Sequence, residues 1–142
     1  MKLSYSYFPD QPAVIPQSNG NWYLSVDYIG PAINNSVTII SDGFITDGAT
    51  IPRFAWRLLN HPMQVPLIAA AILHDAEYSA ELHTRKECDL RFLEAMYLLK
   101  ISWLKRNTIF AAVRSFGWVV WNRHSVLTVN AARQLARKYS TI

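Results

Sequence analysis

The run Pro66–His74, PLIAAAILH, constrains this chain more than any other segment. Eight of its nine residues are apolar, and Asp75 follows directly. A stretch this apolar is buried or nearly so. An imidazole and a carboxylate at its end need partners, because burying either one unpaired costs several kcal/mol. His74 and Tyr78 stand at i and i+4, on one face of a helix. The partners of His74 and Asp75 are therefore where function is sought.

A chain of 142 residues fits one domain, 1–142, long enough to bury a core without staples. It is 51% hydrophobic and 17% charged, which argues against disorder. The lone Cys88 rules out an internal disulfide and a Cys-based zinc site, and it reads as a buried, inert thiol. The N-terminus, MKLSYSYFPDQP, lacks the apolar core of a signal peptide. No window reaches about 18 uninterrupted apolar residues, so no transmembrane helix is expected.

The net charge of +4 lies largely late, at Lys105, Arg106, Arg114, Arg123, Arg133, Arg137 and Lys138. Basic residues interleaved with Trp and Phe suit an anionic surface, either lipid headgroups or nucleic acid. No helix-turn-helix, zinc finger or stacking platform is visible, so sequence-specific nucleic-acid binding is not expected. The plainer reading is a solvated helix face, with Trp103, Phe110, Trp118 and Trp121 in the core.

Residues 1–20 read as irregular or as an edge. Asn21–Ile29 reads as one strand and Ser36–Ser41 as a second, paired as a hairpin across Gly30-Pro31 and Asn34-Asn35. SDGFITDGATIPR follows, and its two Asp-Gly steps demand a tight loop. Phe54–Leu59 reads as a helical turn ended by Asn60-His61-Pro62, and a helix runs from Pro66 to about Ala80. Thr84 and Glu87 form a capping box for a second helix to about Lys100, with an apolar stripe of Leu90, Leu93, Met96, Tyr97 and Ile101. A third helix starts at Ser102 or Asn107 and reaches about Trp121, and the tail Val126–Tyr139 reads as helical. The fold class is α+β. A β-hairpin and a metal-type loop (1–52) pack on a mainly helical body (53–142) built on an antiparallel helix pair.

That pair is forced by the short loop Glu81–Thr84. With the midpoint near Leu82, His74 lies eight residues before it and Asp89 seven after, so both stand at nearly the same height. Facing the seam, Asp89 accepts from one imidazole nitrogen and leaves the other free as a base. Asp75 is rotated about 100° from His74 and points to an adjacent face. There it can meet Asp47 in the Asp-Gly loop, giving two carboxylates with backbone carbonyls as further oxygen ligands, a set that suits Ca²⁺. Arg85 is a rival partner for Asp89 or Glu81. His61, His83 and His124 read as surface residues.

The order of motifs resembles two families. Thr46–Pro52 (TDGATIP), Ala70–Tyr78 (AAILHDAEY), Arg85–Asp89 (RKECD) and Phe92–Met96 (FLEAM) resemble a small phage and prophage family of unknown function. Within residues 44–97, Asp47-Gly48-Ala49, His74-Asp75, Tyr78 and Asp89 resemble the phospholipase A2 superfamily, its bacterial and fungal branch above all. The second resemblance implies that His74 deprotonates a water while Asp89 orients it and Tyr78 hydrogen-bonds Asp89. It also implies that Asp47, Asp75 and the Gly48 carbonyl hold Ca²⁺, so that water attacks an ester without an acyl-enzyme. One departure stands out: Ala49 takes the place of the loop cysteine that those enzymes cross-link to the catalytic helix.

The expectation is therefore a phage-encoded, Ca²⁺-dependent acyl-ester hydrolase that meets host phospholipid. The alternative from another class is a catalytically silent virion component, of tail or baseplate, with phage proteins as partners. Either is made in the host cytoplasm, and the second ends in the virion.

Overall fold

The computed structural model describes residues 5–48, 51–59 and 65–141. Its architecture is mixed α+β, with seven strands in two small sheets and five helices among the described residues. The strands are β1 (Tyr5–Tyr7), β2 (Val14–Pro16), β3 (Trp22–Leu24), β4 (Asp27–Ile29), β5 (Ser36–Ile40), β6 (Ile45–Thr46) and β7 (Ala136–Ser140). The helices are α1 (Arg53–Leu59), α2 (Leu67–Ser79), α3 (Arg85–Leu98), α4 (Trp103–Trp121) and α5 (Val126–Arg133). One sheet runs β1-β4-β5-β7 and the other β2-β3-β6. The expected helix end at Asn60-His61-Pro62 and the motif residues Ala49 and Thr50 lie outside the described residues.

The expected hairpin is β4–β5, antiparallel with Tyr28 opposite Ile40 and Ile29 opposite Ile39. Its turn is Asn34-Asn35, with φ of 50° and 60°. Two left-handed residues are what a tight two-residue hairpin turn needs, and Asn tolerates that conformation well. The single strand expected over 21–29 is instead two. The chain bends at Ser25-Val26, and β3 and β4 enter different sheets.

The tail departs most from expectation. Helix α5 stops at Arg133, and Ala136–Ser140 forms β7, antiparallel to β5 over five residue pairs. Local propensity favours helix for Ala, Arg and Lys. An open β5 edge offers a ladder of backbone bonds that outweighs it. The helical body thus ends in a strand of the N-terminal sheet, and the boundary at residue 52 does not divide the fold.

Helix α2 is the axis of the core. Twelve of its residues, Leu67–Tyr78, are buried. Ala70 and Ala71 pack with Ile51, Phe92, Met96, Ile109 and Val113, whereas Ala69, Ile72, Leu73 and Ala76 pack with Leu24, Tyr28, Ile40, Phe44 and Ala136. A helix shared by two clusters is apolar all round, which explains the Pro66–His74 run. The capping box on α3 is made in full. Glu87 N–H donates to Thr84 Oγ1 at 3.2 Å and Thr84 N–H donates to Glu87 Oε2 at 3.0 Å.

The stripe expected on α3 is rotated. Leu90 and Tyr97 are exposed, and the face toward α2 carries Cys88, Asp89, Phe92, Ala95 and Met96. Asp89 and Arg91 are polar residues on the buried face because each finds an ionic partner. The aromatics of α4 also differ from the expected core placement: Trp103 is 67% exposed and Trp118 53%.

Candidate active site

The short turn after α2 returns α3 antiparallel to it and brings His74 against Asp89. His74 Nε2 lies 2.8 Å from Asp89 Oδ1, with both side chains fully enclosed. The His74 ring stacks on Phe92, centroids 4.4 Å apart at 21°, and lies 4.4 Å from the Tyr78 ring.

Asp89 is a hub. Arg114 Nη1 donates to its Oδ2 at 2.7 Å, and Arg85 Nη1 stands 3.6 Å from the same oxygen. Burial alone would push this carboxyl up, but the bonds from His74 and Arg114 reverse that and hold it below the ordinary aspartate range. Asp89 is therefore a carboxylate, an acceptor only, so His74 Nε2 is the donor in their bond. Nδ1 is buried without a hydrogen-bond partner among the described residues. Such an orphan costs about 1–3 kcal/mol.

Tyr78 stands beside this pair. Its hydroxyl helps to keep the Asp89 carboxylate ionised, yet it makes no well-formed hydrogen bond among the described residues. Tyr78 acts on Asp89 as an electrostatic neighbour, not as the hydrogen-bond donor that the resemblance implies. Burial, then the Asp89 charge, hold its phenol well above the usual range. Helix α4 approaches this hydroxyl through Gly117, where an added Cβ would sit 2.6 Å from it.

Asp75 points the other way, toward the Asp-Gly loop. It is buried, bonds the Thr46 side chain and feels the Asp47 charge. Burial first, and the like charge of Asp47 next among the causes that raise it, lift its carboxyl to about 6. Asp47 is exposed, whereas Gly48 is buried at a φ of +74°, a conformation that suits glycine. The Gly48 carbonyl accepts the Ile51 N–H at 3.2 Å. Asp47, Gly48 and Asp75 thus gather oxygen donors and two neighbouring acids, a chemistry that fits a hard cation such as Ca²⁺. Among the described residues no three His, Cys, Asp or Glu groups are arranged to hold a metal ion, so further ligands would have to be carbonyls or solvent.

Three sets of residues stand around the site without having been assigned to it from the sequence. Arg114 was visible only as the charge interrupting an apolar helix. Glu77, one turn past His74, pairs with Arg91 Nε at 2.9 Å and accepts from Thr38 Oγ1 at 2.8 Å. A glutamate on a helix buried along its length is the signal that a buried cation faces it. His124, read as a surface residue, is largely enclosed, with Nδ1 2.9 Å from Glu81 Oε1. The Cys88 thiol is buried, and burial pushes it far above its usual range.

Residues 22–113 match the model of a family described as a protein of unknown function, DUF1353. No curated protein and no solved structure shows a significant match to the chain.

Proposed function

The chain belongs to the DUF1353 family, and we propose that it is a phage-encoded, Ca²⁺-dependent acyl-ester hydrolase of phospholipase A2 type acting on host membrane lipid. One observation carries this reading: His74 Nε2 lies 2.8 Å from the ionised Asp89, and its Nδ1 meets no hydrogen-bond partner among the described residues. That is the arrangement of a general base. Nδ1 takes a proton from a water as the water attacks the ester carbonyl, and gives it to the departing alkoxide as the ester C–O bond breaks, which leaves a carboxylic acid and an alcohol. Asp89 balances the imidazolium that forms, and Arg114 and Arg85 keep Asp89 in place. Asp47, Asp75 and the Gly48 carbonyl would hold Ca²⁺, which when bound supplies Lewis-acid polarisation of the ester.

The surface supports a lipid partner. No acidic residue follows Glu94, whereas eight Lys and Arg residues do. Trp103, Leu104 and Trp118 stand exposed on α4 among them. Apolar side chains within a basic field suit an anionic membrane surface. No helix of the described residues is long and apolar enough to cross a membrane.

Purified protein is expected to release fatty acid from phospholipid vesicles with Ca²⁺ and not with a chelator, and His74→Gln should abolish release. Equal release by the variant would sink the proposal. A second reading, a catalytically silent tail or baseplate protein, is favoured by the complete enclosure of His74 and Asp89. Stoichiometric copies in purified particles, with no Ca²⁺-dependent release, would select it.

A further inference from the structure

The strongest unassigned feature is a second His–carboxylate pair, and this one is open. His124 Nδ1 lies 2.9 Å from Glu81 Oε1, with side chains 13% and 32% exposed, whereas His74 and Asp89 are fully enclosed. A carboxylate only accepts, so Nδ1 is the donor in this bond. Nε2 makes no hydrogen bond among the described residues, and in the neutral ring it is an acceptor. The Trp121 ring packs 5.4 Å from the imidazole. The pair lines an open cleft of about 330 Å³ together with Ser125, Val126, Val129 and Asn130. None of these residues belongs to the His74–Asp89 pair or to the Asp-Gly loop.

The place of Glu81 in the chain argues for use rather than stability. It follows the last turn of α2 at a φ of +46°. Glu81 N–H donates to Tyr78 O at 3.0 Å and Leu82 N–H donates to Glu77 O at 3.1 Å, the paired bonds that close a helix on a left-handed residue. Glycine suits that position, and a larger side chain is strained there. A negative charge at this end also opposes the helix dipole. Arg133 supplies the cation that the helix end prefers: its Nε donates to Ala80 O at 2.8 Å, which ties α5 to the turn beside the cleft. Two local rules thus count against an acid at position 81, and breaches of this kind gather at functional sites.

We propose that His124 and Glu81 form a second acyl-ester-hydrolysing centre, which takes small neutral esters in this cleft and draws on neither Asp47 nor Asp75. His124 Nε2 takes a proton from a water as the water oxygen bonds to the ester carbonyl carbon. Glu81, a positioning residue, holds the ring and balances the imidazolium that forms. The Asn130 amide is the donor in the cleft for the oxygen that becomes negative. Nε2 then returns the proton to the departing alkoxide as the ester C–O bond breaks, which leaves a carboxylic acid and an alcohol. Val126 and Val129 give the acyl group an apolar wall, and the Glu81 charge turns away an anion. Arg133 does not reverse that preference, since its guanidinium is engaged at the helix end. The cleft lies at the small end of ligand sites, so the substrate is short.

p-Nitrophenyl acetate is such an ester, and its turnover is read in a chelator, where the Ca²⁺ route is silent. The full chain is expected to hydrolyse it faster than free imidazole at the same concentration. His124→Gln should lower kcat/KM by about a hundredfold. Glu81→Gln can still accept from Nδ1 but carries no charge, so kcat should fall while KM and Tm hold. Val126→Trp, at a side chain 77% exposed, narrows the cleft without touching the core and should raise KM. His83→Gln, outside the cleft, should leave turnover unchanged. Turnover no faster than free imidazole, an equal loss in His83→Gln, or an unchanged rate in His124→Gln overturns the centre. Should His124→Gln fail to fold, an unchanged KM in Val126→Trp overturns it instead. Ester turnover without fatty-acid release from vesicles keeps this centre and removes the lipid-hydrolase reading. Release from vesicles without ester turnover does the reverse.

Discussion

Asp75 offers the sharpest test of how the site stores energy. Its side chain is buried, and its carboxyl titrates at about 6 against an ordinary 3.8. A raised carboxyl favours the protonated form in the fold, so the unfolded chain releases its proton first as pH rises. Stability therefore falls between about pH 4 and pH 6 and stays low above that window. The difference of 6 and 3.8 corresponds to a penalty of about 3 kcal/mol at pH 8 and about 1 kcal/mol at pH 4.5. Asp75→Asn keeps the shape, and its amide oxygen can still accept from Thr46, but it carries no charge. The variant should be more stable than the parent by about 3 kcal/mol at pH 8, with the gain shrinking to about 1 kcal/mol at pH 4.5. For a domain of this size that is a rise in Tm of about 6–12 °C at pH 8. Urea unfolding across pH 4.5–8, with and without Ca²⁺, measures it. Ca²⁺ should stabilise the parent and leave Asp75→Asn unmoved. A variant less stable than the parent at pH 8, or a gain independent of pH, would refute the reasoning.

The same geometry sets further expectations. Asp89→Asn leaves Arg114 and Arg85 facing an uncharged group in a buried hub and should cost about 3–5 kcal/mol at pH 7. Because the Asp89 carboxyl is depressed, the parent's advantage is complete above pH 3.8 and fades as pH falls below it, which acid-side urea melts would show. Gly117→Ala places a methyl 2.6 Å from the Tyr78 hydroxyl and should lose about 1–3 kcal/mol despite the better helix propensity. Adding Tyr78→Phe to that background should recover most of the loss, and a double-mutant cycle with no coupling would dissociate the two residues. Trp103→Ala combined with Leu104→Ser removes exposed apolar area without touching the core, so binding to anionic vesicles should weaken while Tm stays within a degree or two.

The α2–α3 hairpin was legible because three local rules agreed. A run with helical period, a four-residue connection and a capping box together fixed the height at which Asp89 meets His74. Asp75 could be aimed at the Asp-Gly loop for the same reason, since a helix turns its side chains by a constant angle. What was not legible depended on distant segments. Ala136–Ser140 is a strand only because β5 has an edge to fill. Leu90 and Tyr97 lie outside because Asp89 and Arg91 occupy the inner face with partners from α4, α2 and the hairpin. Pattern reading sorts residues by polarity, so it turns a helix the wrong way when its buried face is ionic. Arg114 is the clearest instance: one charge in an apolar run looks like an interruption until its carboxylate appears.

Two adjacent residues of α2 lead to acids held in opposite states, and that contrast weighs on function. Asp89 is surrounded by cationic groups and stabilises the fold in its charged form. Asp75 is buried where its charge is opposed by desolvation and by Asp47. An asparagine would serve Thr46 and the packing at lower cost, so stability alone does not account for an acid at position 75. The His74 Nδ1 makes the same point, since a buried nitrogen without a partner among the described residues is a standing loss. Strain of this kind gathers where a group must be ready for a ligand or a proton. The silent-protein reading explains the enclosure of the dyad. It gives no use to the unpartnered Nδ1 of His74 or to the raised acid beside it, whereas a base that awaits water next to an acid pair that awaits a cation uses both.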